Sequence, residues 1–334
     1  MKALIVRTGA FLAGIFLLML SFSIFYAIRI RDKDNYFILW NSYRRYPNNI
    51  RVLFLGDSHP SFDLRNQELP EGYYNFAYPG ESVYDWYFKL IRVHKDNPTL
   101  ETVVIPFDCH NFSEYRSTQQ NIKSILYFSR LSDTFRILPD YSRFELFKVK
   151  LGTLVPILNA KDRELLQSVI IEDIYSFLTG RKNKKQIYVD GSGNLVDPDI
   201  KRWDEYPENE RVRRASERLS TQLGKGISDK KLIKVFKELA DYCRTNNLNL
   251  VGVQYPLSVE YNRLSRNYGI EELNSIYRGA FHNHQLDYRE LFNGNQEYFR
   301  NQDHLNIPGA LVFTRHIADD LELYGKAAGA SDNR

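Results

Sequence analysis

The run Leu55-Gly56-Asp57-Ser58-His59 closes the apolar stretch Val52-Leu53-Phe54-Leu55 and puts a serine hydroxyl on a tight turn where a buried strand would end. In an open α/β sheet, ligands bind in the crevice beyond the carboxyl ends of the strands, so Ser58 is the candidate nucleophile. Gly, Asp and Ser are also ordinary turn residues, and the tripeptide gains meaning from two further segments. Asn75-Phe76-Ala77-Tyr78-Pro79-Gly80 places a glycine after the next predicted strand, where its backbone N–H can face the serine. Asp303-His304 stands just before the last predicted helix and offers an imidazole with a carboxylate beside it.

In that order the three blocks resemble the SGNH or GDSL hydrolase superfamily, over residues 50–110 and 230–322. An apolar N-terminal segment, a large central insertion and the phrase Asp303-His304-Leu305-Asn306-Ile307-Pro308-Gly309-Ala310 look like its membrane-tethered branch, which includes proteins of alginate O-acetylation and teichoic-acid D-alanylation. The resemblance implies a flavodoxin-like parallel sheet with flanking helices. It also implies a serine acyl-ester enzyme, an O-acetyltransferase or esterase, acting on a cell-envelope polysaccharide through an acyl-serine intermediate. The implied partners are the membrane, the polysaccharide or acyl donor, and a membrane-bound O-acyltransferase; no cofactor is required. A serine hydroxyl is a poor nucleophile at neutral pH, so His304 takes its proton and later returns one to the leaving group. Asp303 orients the imidazole, and the backbone N–H groups of Ser58 and Gly80 form the oxyanion hole.

Two departures from the family pattern stand out. The carboxylate usually lies three residues before the histidine, and here that position is Asn301. Either Asp303 turns back onto the ring or Asn301 holds it with its amide oxygen. The third block, usually Gly-x-Asn-Asp, reads Pro106-Phe107-Asp108-Cys109-His110-Asn111, from which Asn111, as an oxyanion donor, or Asp108 would have to reach the site. Asp57, His59 and His110 share that rim as candidate substrate-binding residues. His282 and His284 lack a carboxylate or cysteine at ligand spacing, so no metal is expected. The departures leave open a non-catalytic glycan-binding or scaffold partner of a membrane-bound O-acyltransferase, and the charges around the N-terminal segment leave open a cytoplasmic-facing lipase or thioesterase.

Period and punctuation then give the elements that position these residues. Strands are predicted at Arg51–Leu55, Tyr73–Ala77, Glu101–Phe107, Leu248–Gln254 and, weakly, Gln285–Tyr288, with helices at Ser82–His94, from Ser228, near Ile270–Tyr277 and at Pro308–Leu323. Strands alternating with helices argue for a parallel sheet with crossovers. The rhythm breaks over about 115–228, an insertion with a helix at Asp162–Leu178. It also holds a hairpin turning at Asp190-Gly191-Ser192-Gly193 and a loop at Asp197–Glu210.

Ala10 to Ile28 is uncharged and long enough to cross a bilayer, which predicts one uncleaved transmembrane anchor in residues 1–30. A tether or amphipathic lead-in at 31–49, the α/β domain at 50–325 and a polar tail at 326–334 complete the organisation. Lys2 and Arg7 precede the span and Arg29, Arg31, Lys33, Arg44 and Arg45 follow it, so the positive-inside count puts the body in the cytoplasm; long domains translocate largely regardless of charge, and the acyl chemistry that the resemblance implies suits the outside, which is the expectation taken. Forty-five basic residues against 41 acidic ones, dispersed, give +4, too weak a bias for nucleic acid. Arg211, Arg213, Arg214 and Arg218 among Glu208, Glu210 and Glu217 read as a solvated helix face. Cys109 and Cys243 form no disulfide framework.

Overall fold

The computed structural model describes every residue except 47–48, 118–131, 134–142, 156–159, 180–187, 198–201, 225, 227, 267, 269–270, 282–284 and 332–334. In chain order the strands are β1 (Val52–Phe54), β2 (Tyr73–Asn75), β3 (Thr102–Pro106), β4 (Tyr188–Val189) and β5 (Leu195–Val196). They continue with β6 (Asn249–Gln254), β7 (Gln285–Asp287), β8 (Phe299–Asn301) and β9 (His304–Leu305). The helices used below are α1 (Lys2–Arg29), α2 (Asn35–Arg45), α3 (Ser58–Asp63), α4 (Val83–Asp96), α5 (Glu114–Ser117) and α6 (Arg143–Leu154). After them come α7 (Ala160–Thr179), α8 (Glu208–Leu223), α9 (Lys230–Thr245), α10 (Val259–Ser265), α11 (Glu271–Phe281) and α12 (Ile307–Ser331).

Five strands form one parallel sheet in the order β2-β1-β3-β6-β7, the flavodoxin-like order in which the first strand sits second from the edge. Val52, Leu53 and Phe54 are all buried, as expected of a parallel strand covered on both faces. The pleat divides the core accordingly. Leu53, Val103, Ile105 and Leu250 face α4, α9 and α11, while Val52, Phe54, Val104, Val251 and Val253 face Phe313, Ile317 and Leu321 of α12. Sequence dictates the flanking helices locally. Ser82 and Asp85 make a reciprocal capping box at the start of α4, and Asp229 caps α9, whose apolar residues Leu232, Val235, Phe236, Leu239 and Cys243 are buried along one side.

Three expectations need correction. Of the two readings of 31–49 the tether gives way to the amphipathic lead-in: α2 seats Tyr36, Leu39 and Tyr43 in the core beside Tyr74 and Phe76. The lead-in is therefore part of the body, held by aromatic side chains whose polar tips disguise the helix in the sequence. The polar tail is helical as far as Ser331, where α12 ends. The last part of the predicted insertion belongs to the body too, since Trp203, Ala215 and Leu219 are buried and α8 packs on α10. The β4–β5 hairpin forms at the predicted turn, although residues 186–187 of that expectation lie outside the described residues. So do His282 and His284.

α1 is 28 residues long with a mean hydropathy of 2.3 over its most apolar window, and that window is almost wholly exposed. It is long and apolar enough to cross a membrane. Its end differs, for Tyr26 and the following Ile30 are buried.

Candidate active site

The carboxyl edge of the sheet gathers the predicted residues. Gly56 leaves β1 with φ of +153°, and a Cβ there would overlap Pro60 Cγ and lie 2.8 Å from Pro106 Cδ. Only glycine lets the chain turn this closely beside β3. Asp57 then caps α3 by accepting from the His59 N–H at 3.1 Å, and Ser58 opens that helix, 8% exposed. The second block is tied to the same turn. Asn75 Nδ2 donates to the Pro60 carbonyl at 2.7 Å, and the Tyr78 N–H donates to the Gly56 carbonyl at 3.3 Å. Gly80 sits in the following turn at φ +80°, with open space where a side chain would project.

His304 comes from β9 and packs on α3. Its ring lies 5.2 Å from that of His59 and 5.1 Å from that of Phe62, while Asp63 accepts from the Leu305 N–H at 2.8 Å. The residues of α3 that His304 meets are thus His59 and Phe62, one and four positions beyond Ser58. Both candidates for orienting the ring meet it. Asn301 Oδ1 accepts from His304 Nδ1 at 3.0 Å. Asp303 Oδ1 lies 3.2 Å from the same nitrogen, without the alignment of a hydrogen bond. The sharp β8–β9 hairpin that pairs Asn301 with His304 makes this possible. With Nδ1 so held, Nε2 is left as the acceptor. It has no hydrogen-bond partner among the described residues, so His304 and Ser58 are not hydrogen-bonded to each other.

Around this pair lies a buried ionic network that sequence reasoning largely missed. His59 Nδ1 meets Asp108 at 2.7 Å, and His110 Nε2 meets Asp57 at 2.7 Å. Asp57 also accepts from Arg116 of α5, and Asp303 accepts from Arg218 of α8 at 2.9 Å. Arg218 thus leaves the solvated face predicted for it. Arg211 leaves too and pairs with Glu260 at 2.6 Å, whereas Arg213 and Arg214 bind Glu210 at the surface. Asn111 donates to the Pro106 carbonyl at 3.3 Å and so braces its own loop. Asp108 and His110 had one legible signal, since they follow β3 at the edge where Ser58 follows β1. Arg116 and Arg218 had none, because each arrives from a distant helix.

Environment drives the two facing histidines apart. Burial opposes protonation of His59, but the Asp108 carboxylate, with Asp57 and Asp303 behind it, outweighs burial and pushes it up to about 10. Burial pushes His304 down to about 4, and the positive His59 and Arg218 add to that against the pull of Asp303. Asp57 and Asp303 are held well below the carboxylate range despite burial, chiefly by Arg116 and Arg218 respectively. At neutral pH the arrangement is a cationic His59 facing a neutral His304, each with an unpartnered Nε2. Pairs of titratable groups pushed in opposite directions mark acid and base roles.

Two triplets, Asp57-His59-His110 and His59-Asp303-His304, bring ligand-type atoms within 4.8 Å of one another. One carboxylate in each already carries an arginine, Arg116 or Arg218, which supplies the positive charge a cation would bring. A small cavity of ≈ 30 Å³ opens beside His59, lined by His110, Leu219, Leu223 and Leu257. A larger one of ≈ 780 Å³ lies by Leu248 and Asn249, at the amino end of β6 and away from these groups. Neither a protein-family model nor a curated protein matches the chain.

Proposed function

We propose that this chain is a membrane-anchored serine acyl-ester enzyme of SGNH type, an O-acetyltransferase or esterase acting on a cell-envelope polysaccharide outside the cytoplasm. One observation carries the reading: a neutral His304, oriented by Asn301, keeps an Nε2 without a hydrogen-bond partner among the described residues and packs on α3, the helix that Ser58 opens. Ser58 Oγ attacks the acyl carbonyl while His304 Nε2 takes its proton, and the carbonyl π electrons move onto oxygen. The oxyanion is met by the backbone N–H groups of Ser58 and Gly80 and by the cationic His59, which stands in for the family's third-block asparagine. Collapse breaks the ester C–O bond as His304 returns the proton to the leaving oxygen. Water or a sugar hydroxyl then attacks the acyl-serine through the same base. The gap between serine and histidine is compatible with this, because catalytic hydrogen bonds are commonly long before substrate binds.

A non-catalytic scaffold, working beside a membrane-bound O-acyltransferase, is the second reading and draws on Asn301 in place of the usual carboxylate. The Ser58→Ala variant separates them. With aryl acetate as substrate, turnover should fall by roughly 10³-fold or more while the thermal midpoint stays put, and envelope acetylation should fail in cells. Undiminished turnover and acetylation in that variant would overturn the enzyme reading.

A further inference from the structure

The insertion exposes a surface that no step of the acyl chemistry uses. In α7, Ile170, Ile171, Ile174, Phe177 and Leu178 recur at the spacing of one helix face and are 43%, 64%, 53%, 88% and 74% exposed. Val169, on the opposite side, is buried, so the helix packs by one side and shows an apolar face outward. In α6, Phe144 and Phe147, three residues apart, are exposed as well. An apolar patch of this extent marks a contact surface.

Two features say what covers it. Asp173, at the edge of the α7 face, pairs at 3.6 Å with Arg29, the last residue of α1. The face therefore stands where the apolar N-terminal helix leaves the bilayer. In sequence, α7 is followed at once by Arg181, Lys182, Lys184 and Lys185, a basic run of the kind drawn to anionic lipid headgroups. We infer that α7, with the phenylalanines of α6, lies in the interface of the membrane that α1 spans, with its apolar face in the headgroup and upper acyl region. The inference rests on α1 being an anchor. It makes the insertion a second membrane contact that sets the height and tilt of the site.

The test uses the full chain reconstituted in vesicles of phosphatidylcholine with a minority of phosphatidylglycerol. Cysteines are introduced singly by Phe177→Cys, Leu178→Cys, Phe16→Cys in α1 and Asp241→Cys on the exposed side of α9, and labelled with an environment-sensitive fluorophore. The native Cys109 and Cys243 are shielded by burial, which pushes both thiols up to about 12, and the unsubstituted chain measures their background. Labels at 177 and 178 should emit to the blue of the 241 label. Lipid nitroxides placed roughly 5–10 Å below the headgroups should quench them best, while the label at 16 should be quenched by nitroxides near the chain ends. Water-like emission at 177 and 178 would overturn the inference while the label at 16 still reports the anchor. Blue-shifted emission that lipid nitroxides leave unquenched would overturn it too, by showing that protein covers the face. An unquenched label at 16 would overturn the anchor itself and the inference with it.

Discussion

His59 and His304 have rings 5.2 Å apart, yet what stands behind each drives it to the opposite protonation state. Asp108, fully committed to His59 Nδ1 at 2.7 Å, keeps that ring charged. Behind His304 stands Asn301, a neutral acceptor that fixes the tautomer without adding charge, while Asp303 divides its charge between the ring and Arg218. In the proposed chemistry His304 must be neutral to accept a proton and His59 must be charged to meet the oxyanion. Activity should therefore rise with pH through about 4, as His304 loses its proton, and fall as pH rises through about 10, as His59 loses its own. Between those limits kcat/KM for an aryl acetate should be level. Asp108→Asn removes the largest source of the His59 shift, so its alkaline limb should move down toward the ordinary imidazole range. At pH 9 the variant should lose roughly 10²-fold, the scale of one oxyanion donor. An alkaline limb unmoved in that variant would take His59 out of the reaction. Stability carries the same sign: the contribution of a raised His59 is full below its ordinary value of 6.5 and is lost as pH rises through about 10.

At the scale of elements, the strands were legible because β-branched and aromatic runs ending at Gly56 and Pro106 can be little else than buried parallel strands. Their parallel arrangement followed from the crossover rules, while their order came from the structure. The turn at Ser58, the Asn75–Gly80 block and His304 were legible for the same reason, since each follows or adjoins a recognisable element boundary. The helix α2 was not, because Tyr36 and Tyr43 bury their rings yet count as polar in a hydropathy reading. In α8 the helix was legible but not its inward side, because four arginines among glutamates hide the two, Arg211 and Arg218, that turn inward. Arg218 reaches the buried Asp303 across 85 residues of sequence, a distance no local pattern encodes. Its removal should be costly, because Asp303 is a charge that is 1% exposed and Arg218 is the strongest of the groups that hold it ionised, ahead of His304 and His59. Arg218→Ala should lower unfolding stability at neutral pH by ~3–5 kcal/mol as read by urea titration, and adding Asp303→Asn should recover part of it. A cost below ~1 kcal/mol for the single variant, the range of a surface pair, would show that the ion pair holds neither α8 nor the β8–β9 hairpin in place.

At the scale of the whole molecule, the N-terminal helix and the α/β body are not independent pieces. A secretory signal is cut from the chain it precedes, and the small Ala27, with the run Phe25-Tyr26 before it, is where such a cut would fall. The fold opposes it, because Tyr26 is 5% exposed and Ile30 fully buried, so the last turn of α1 is a covered helix rather than an extended segment. The chain then passes into α2, whose Leu39 and Tyr43 lie in the same core as Tyr74 and Phe76 of the sheet region. Losing Tyr26 would expose apolar surface worth roughly 1.5–3 kcal/mol for one large side chain and would free the entry to α2. The chain should therefore keep its N-terminus in cells. A tag before Met1 and a tag after Arg334 should report the same full-length band, sedimenting with membranes and resisting extraction by alkaline carbonate. A C-terminally tagged band that has lost the first tag and is released by carbonate would show α1 to be a removed leader, and the site would then work free of the bilayer.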